Sequence, residues 1–238
     1  MKLRVKFTKN GPIRFIGHLD LQRYFQKAIR RADIDVKYSE GYSPHQVISF
    51  AQPLSVGATS DGEYMDMQVN SMESCEDIKK RLNEVMNEGV EILDVIELSE
   101  KAPKAMTAVA AAEYRVAFRK GKEPSLNLKE KLAEYYNLDK LPAVKKTKSG
   151  EKEIDMKPYI YELSVNEDDS IHMLLSAGSV NNIKVSMVIE NFLEFYGEEL
   201  KEFGLIIHRV DTYIEGNDDK GRYIEPFICR DLSKRKYI

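Results

Sequence analysis

Arg23, Lys27, Arg30 and Arg31 recur at spacings of three and four residues. On a helix, at 100° per residue, they occupy one side and span about 100°. Cations in such a row can follow a phosphate backbone, and an arginine can grip one phosphate through two bonds. The same row also describes an ordinary solvated helix face. Close behind comes "YSEGYSPH", residues 38–45. Gly41 permits a turn at positive φ, Ser39 and Ser43 offer hydroxyls, and Tyr38 or Tyr42 can stack on a base. Pro44 stiffens the exit. Each of these residues is also a common turn former, so the loop alone is compatible with a plain connection.

A third group is "KKTKSGEKEIDMKPY", residues 145–159. Lys145, Lys146, Lys148, Lys152 and Lys157 alternate there with acids along an expected hairpin. It reads either as an arm contacting nucleic acid or protein, or as a solubilising exposed edge. Acid–base candidates are His18 and His45. His18 falls near the edge of a helix's apolar sector, where packing or capping also accounts for it. Asp20 precedes Arg23 by three residues and forms an ordinary helix pair. No phosphate-binding GxxxxGK[ST] loop, GxSxG elbow or HExxH pair occurs.

The elements that must hold these groups are legible in the periodicity. Residues 2–8 alternate Leu3, Val5 and Phe7 inward against Lys2, Arg4 and Lys6 outward, as a strand with one wet face. Residues 18–33 form a helix whose inner face is Leu21, Phe25, Ala28, Ile29 and Ala32. Short strands follow near 36–38 and 47–51, and a clearer one at 62–69. A helix capped by Ser74 and ended by Gly89 buries Ile78, Leu82, Val85 and Met86. Residues 90–98 are a strand. The order is strand, helix, strand, strand, helix, strand.

The second half repeats it loosely, with a hairpin added. A strand at 111–119 and a helix in "LNLKEKLAEYYNL" precede a hairpin turning at Ser149-Gly150. Two strands then flank the turn at 167–169, followed by a helix ended by Gly197 and a strand in "GLIIHRVDTYIE". The expected fold is α+β: two tandem ferredoxin-like (βαββαβ) sandwiches with antiparallel sheets. The expected domains are residues 1–98 and 111–216, with a linker at 99–110 and a basic tail at 217–238.

Composition bounds the function. The 238 residues carry a net charge of −3, yet residues 1–50 hold 10 Lys/Arg against 4 Asp/Glu, and residues 101–160 hold 14 against 8. Two basic blocks can therefore make a positive surface on a mildly acidic chain. No apolar run reaches membrane-spanning length and the N-terminus lacks a signal-peptide core, so a cytoplasmic location away from membranes is expected. The two cysteines, Cys75 and Cys229, are far apart, and the histidines His18, His45, His172 and His208 are scattered. That cysteine count cannot ligate an iron–sulfur cluster, and no zinc spacing is present. No cofactor and no metal are expected.

Gly17-His18-Leu19-Asp20, Arg30-Arg31, Ser39-Glu40-Gly41-Tyr42-Ser43-Pro44, Pro53-Leu54 and Gly57 together resemble the signature of the radical-SAM-linked protein family. "SGEKEIDMKPYI" is similar to that family's second motif. The family is bacterial, occurs alone or joined C-terminally to a radical SAM protein, and matches nearly the whole chain. At His45 the chain departs from the pattern, which places a more basic residue there. The resemblance implies a radical SAM protein as partner and names no substrate.

The basic row, the loop and the low cysteine count, joined to the partner that the resemblance implies, give the expectation of a non-catalytic RNA-binding or substrate-presenting accessory module acting with a radical SAM enzyme in RNA modification. RNA contact is expected from Arg23, Lys27, Arg30, Arg31, Ser39, Gly41, Tyr42 and Ser43. The alternatives are a metal-independent RNA-processing enzyme using His18 or His45, and a protein-docking scaffold.

Overall fold

The computed structural model describes residues 1–147, 150–179 and 181–238. The chain divides into two units. The first comprises Met1–Ala110 with Arg209–Ile238, the second Ala111–His208.

Unit 1 opens with β1 (Lys2–Lys9), α1 (His18–Arg31), β2 (Ile48–Phe50), β3 (Thr59–Gln68), α2 (Cys75–Val85) and β4 (Ile92–Leu98). β1 pairs antiparallel with β3 on one edge and with β4 on the other. β2 pairs antiparallel with β3. The strand order therefore runs β4-β1-β3, with β2 joined to β3 beside that path. Alternation drives this layering: Leu3, Val5 and Phe7 are fully buried beneath Leu21, Phe25 and Ile29 of α1 and Ile78 and Leu82 of α2. Phe7, Phe25 and Phe50 form a ring cluster with centroids 4.6–5.9 Å apart.

α1 ends where Asp33 takes a positive φ of 52°. Asp33 N–H then bonds to Arg30 O and Ile34 N–H to Ile29 O, closing the helix with a left-handed cap. α2 starts at Ser74, whose Oγ accepts Asp77 N–H at 3.0 Å. After it Gly89 packs against the end of β1. A Cβ there would lie 2.3 Å from Asn10 O, so only glycine fits.

The segment expected as a linker is pinned to unit 1. The short helix α3 (Ala105–Ala108) begins with Ala105 N–H donating to Asp66 Oδ2 at 2.7 Å. Arg4 binds the same carboxylate and also Pro103 O.

Unit 2 contains most of β5 (Val109–Phe118), then α4 (Leu128–Tyr136), β6 (Pro142–Thr147), β7 (Gly150–Asp155), β8 (Ile160–Val165), β9 (Ile171–Ser176) and α5 (Val185–Phe195). β5-β9-β8 form an antiparallel sheet, while β6 and β7 make a separate hairpin. Val188, Ile189 and Phe192 of α5 and Leu132 and Tyr135 of α4 are buried. Tyr135 meets Phe192 edge-on at 5.4 Å and donates to Asn191 Oδ1. The longer helices and strands follow the expected order, with boundaries shifted by a few residues, but residues 36–38, expected as a short strand, hold only isolated bridges at Val36 and Tyr38. The fold is a mixture of helices and mostly antiparallel strands.

β10 (Leu205–Asp218) begins in unit 2, and from Arg209 onward its residues belong to unit 1. β11 (Gly221–Pro226) pairs with it and β12 (Lys236–Tyr237) pairs with β11. Residues 217–238, expected as a tail, thus carry sheet structure. They also change the reading of β1. Its supposedly wet face is covered, with Arg4 only 4% exposed. Arg4 sits 4.6 Å over the Phe227 ring, and Tyr64 stacks on Phe227 at 5.0 Å. The cations survive burial because each has an acid: Arg4 binds Asp66 at 2.8 Å, and Lys6 binds Asp211 at 2.6 Å. Alternation alone could not show this, since Phe227 and Asp211 come from the far end of the chain.

Phe227→Ala should remove the lid of that face and cost unit 1 about 3–5 kcal/mol. A urea titration read by near-ultraviolet dichroism checks this; a loss below ~1 kcal/mol contradicts the packing account. Arg230 grips Asp94 through two bonds of 2.6 and 2.7 Å, and this hydrogen bonding holds the Asp94 carboxyl below its usual 3.8. A carboxylate held low stabilises the fold above its ordinary value and loses that contribution as pH falls through the lowered one. Below pH 3.8 the urea midpoint should therefore fall more steeply in the wild type than in Asp94→Asn. Equal slopes would contradict the clamp.

Candidate functional site

Leu21, Phe25, Ala28 and Ile29 fix the rotation of α1 by facing the core. Arg23, Lys27 and Arg30 are consequently exposed. The rise from Arg23 to Lys27 is about 6 Å, and from Lys27 to Arg30 about 4.5 Å. Arg23 meets Asp20 at 3.3 Å, with both side chains largely in solvent. Arg30 Nε donates to Gln26 O within the helix. Neither Lys27 nor Arg30 makes an ion pair among the described residues. Arg31 turns elsewhere: its Nη2 donates to Val85 O at 2.9 Å, satisfying the end of α2. The row along α1 thus has three members, with Arg31 acting as a helix–helix tie.

The loop after α1 is closed at its root. Tyr38 and Gln46 form an antiparallel bridge, and Ser39 N–H donates to His45 O at 2.8 Å. Ser39 Oγ accepts His45 N–H at 3.1 Å and lies 2.8 Å from His45 Nδ1. Gly41 takes a φ of 109° at the tip. Ser43 is exposed, and Tyr42 is fully in solvent, at 111% relative exposure. Buried Gln46 joins the loop to the helix through Nε2 donating to Gln26 O at 3.2 Å. Gln26 is at the flank of the cation row, so the loop root abuts the row.

His18 packs its ring edge-on against Phe50 at 5.5 Å. His45 is exposed and engaged with Ser39. The hairpin lysines belong to unit 2. Lys145 donates to Asn182 O at 3.0 Å, and Lys157 donates to Tyr136 O while sitting 3.9 Å over its ring. Lys152 is exposed. Lys148 and the side chain of Lys146 lie outside the described residues.

The structure adds a group that sequence reasoning missed. Lys9 is 2% exposed, and its Nζ donates to Ile16 O at 3.0 Å and Arg14 O at 3.4 Å. Burial lowers its pKa from the ordinary 10.5; the Glu63 carboxylate opposes that shift and Arg209 reinforces it. Glu63 and Arg209 are themselves a buried pair at 2.9 Å. Arg209 also donates to Gln52 O and Pro53 O. Lys9 thereby holds the loop before α1, and Arg209 holds the loop after β2. Gly57 N–H to Arg14 O, at 2.8 Å, ties the two loops together. One signal was present: Lys9 continues the inward parity of Leu3, Val5 and Phe7.

Residues 2–185 match the model of a family described as uncharacterized protein conserved in bacteria (DUF2344). The chain belongs to that family. No curated protein matches it. The stretch shared with the family runs from β1 to the first residue of α5 and includes α1, the loop after it, and both loops held by Lys9 and Arg209.

Lys9→Met should leave the Ile16 carbonyl without its internal donor and Arg14 O with Gly57 N–H alone, at a cost of roughly 1–3 kcal/mol. Amide exchange across residues 10–17 and 53–58 should accelerate first. Unchanged exchange there would show that the ammonium does not hold the loops.

Proposed function

We propose that this chain is a non-catalytic RNA-binding accessory module that works with a radical SAM enzyme, presenting RNA for modification. The observation carrying the RNA reading is the exposed row of Arg23, Lys27 and Arg30 beside a loop whose Tyr42 stands wholly in solvent. A cation row attracts the phosphate backbone, and an exposed ring stacks a base whatever its sequence. In both halves we read the strand–helix order as a ferredoxin-like sandwich. Many such folds stack RNA bases on the open sheet face. In unit 1 that face is covered by Phe227 and its neighbours, which leaves the helix side for the ligand.

The partner is inferred from the resemblance of the Gly17–Asp20, 39–44 and 53–57 motifs to the radical-SAM-linked family. Radical SAM chemistry needs a cluster held by several thiolates. With Cys75 and Cys229 as its only cysteines, this chain would supply the substrate-holding role and the partner the cluster.

Incubation of the purified chain with labelled single-stranded RNA tests this. Retention without cleavage is expected; cleavage would favour an RNA-processing enzyme, and no retention a protein-docking scaffold. Replacing both Arg23 and Lys27 by Gln should flatten the log–log salt slope of binding by about 1.4 if each touches a phosphate. Tyr42→Ala should weaken binding by roughly 1–3 kcal/mol and leave the slope intact. If neither change alters RNA binding, the row and loop are not the RNA site.

A further inference from the structure

Phe15 is 61% exposed at the amino end of α1, although a phenylalanine gains about 1.5–3 kcal/mol by burial. Its exposure is built in. The carbonyls on either side of it, Arg14 O and Ile16 O, are drawn inward by the buried Lys9 ammonium, and Arg14 O also accepts Gly57 N–H. With both neighbouring carbonyls turned to the interior, the ring is held at the surface. The Arg14 guanidinium lies 4.7 Å from the ring centroid. Leu19 and Val56 are also 66% and 62% exposed, and Val56 adjoins Gly57, whose N–H bonds to Arg14 O. Leu19 is four residues before Arg23, on the same side of α1 as the cation row.

We infer that Phe15 is a second base-stacking platform, so that α1 carries a single strand of RNA between two aromatic positions, Phe15 before its amino end and Tyr42 in the loop after it. This rests on the RNA reading and specifies its ligand: an unpaired strand of several nucleotides, laid along roughly 18 Å of helix from His18 to Arg30. The chemistry favours such a ligand over an apolar protein surface. The ring is paired with a guanidinium, and the surface continues into a line of cations, as stacking platforms in single-strand binders do. Lys9 contributes as a positioning residue: it touches no ligand and fixes the ring's direction.

The test uses the intact chain and a graded series of oligouridylates. In the wild type, affinity should rise with length until both platforms are spanned. Phe15→Ala should remove that gain, weakening the longer oligomers on the order of 5- to 100-fold while sparing the shortest and leaving the salt slope unchanged. Phe15→Trp should restore it, which a merely structural ring would not require. Equal affinity of Phe15→Ala and wild type for long oligomers, with the Arg23/Lys27 effect intact, overturns this inference and leaves the RNA site standing. Absence of RNA binding by the wild type overturns both.

Discussion

β1 is hydrogen-bonded along both edges and covered on both faces, and the rest of unit 1 follows from that constraint. A strand so placed cannot leave Arg4 and Lys6 unneutralised, because an unpaired charge in that position costs several kcal/mol. Asp66 answers the first from β3. Asp211 answers the second from the far end of the sequence, and it also receives the Tyr64 hydroxyl at 2.6 Å. The return of residues 209–238 to the first unit is thus tied to charges laid down in the first strand. The same strand ends in Lys9, whose ammonium sets the loop from which α1 departs.

These internal demands fall on buried groups and leave the outer side of α1 unconstrained. Of the four cations in the opening helix, Arg31 is drawn into structure by the carbonyl at the end of α2. The other three have no comparable task. An exposed Lys or Arg contributes little to stability, on the order of 0–1 kcal/mol. Their alignment beside a loop with a bare tyrosine is therefore not required by folding. The RNA reading gives it a role, and the pinned loops explain how flexible surface residues would be presented in a fixed arrangement. Pre-organisation of that kind reduces the ordering cost of binding.

Much of this was written in local sequence. The periods of 3.6 and 2 located α1, α2, β1 and β3 to within a few residues, and the inner face of α1 was identified residue by residue. The helix cap at Ser74 was equally plain, whereas Gly89, expected to end that helix, lies beyond its actual cap at Met86 and is required by the close approach of Asn10 O. What could not be read was everything resting on distant partners. Glu63 and Arg209 are 146 positions apart, and no local pattern announces their pairing. The covering of the second face of β1 depends on Phe227, which sits in a stretch rich in charge and poor in periodicity. Arg31 looked equivalent to its neighbours because helical angle alone does not reveal which cation reaches another helix. Lys9 was recoverable from parity, but a lysine at an inward position is easily taken for the end of a strand.

The central claim is that α1 and the loop behind it form the RNA-contacting surface. Hydrogen–deuterium exchange of the intact chain, with and without saturating single-stranded RNA, tests it most directly. The account predicts protection concentrated in residues 14–31 and 38–46. RNA binding that protects only residues 111–208, or that leaves 14–46 unchanged, would contradict it.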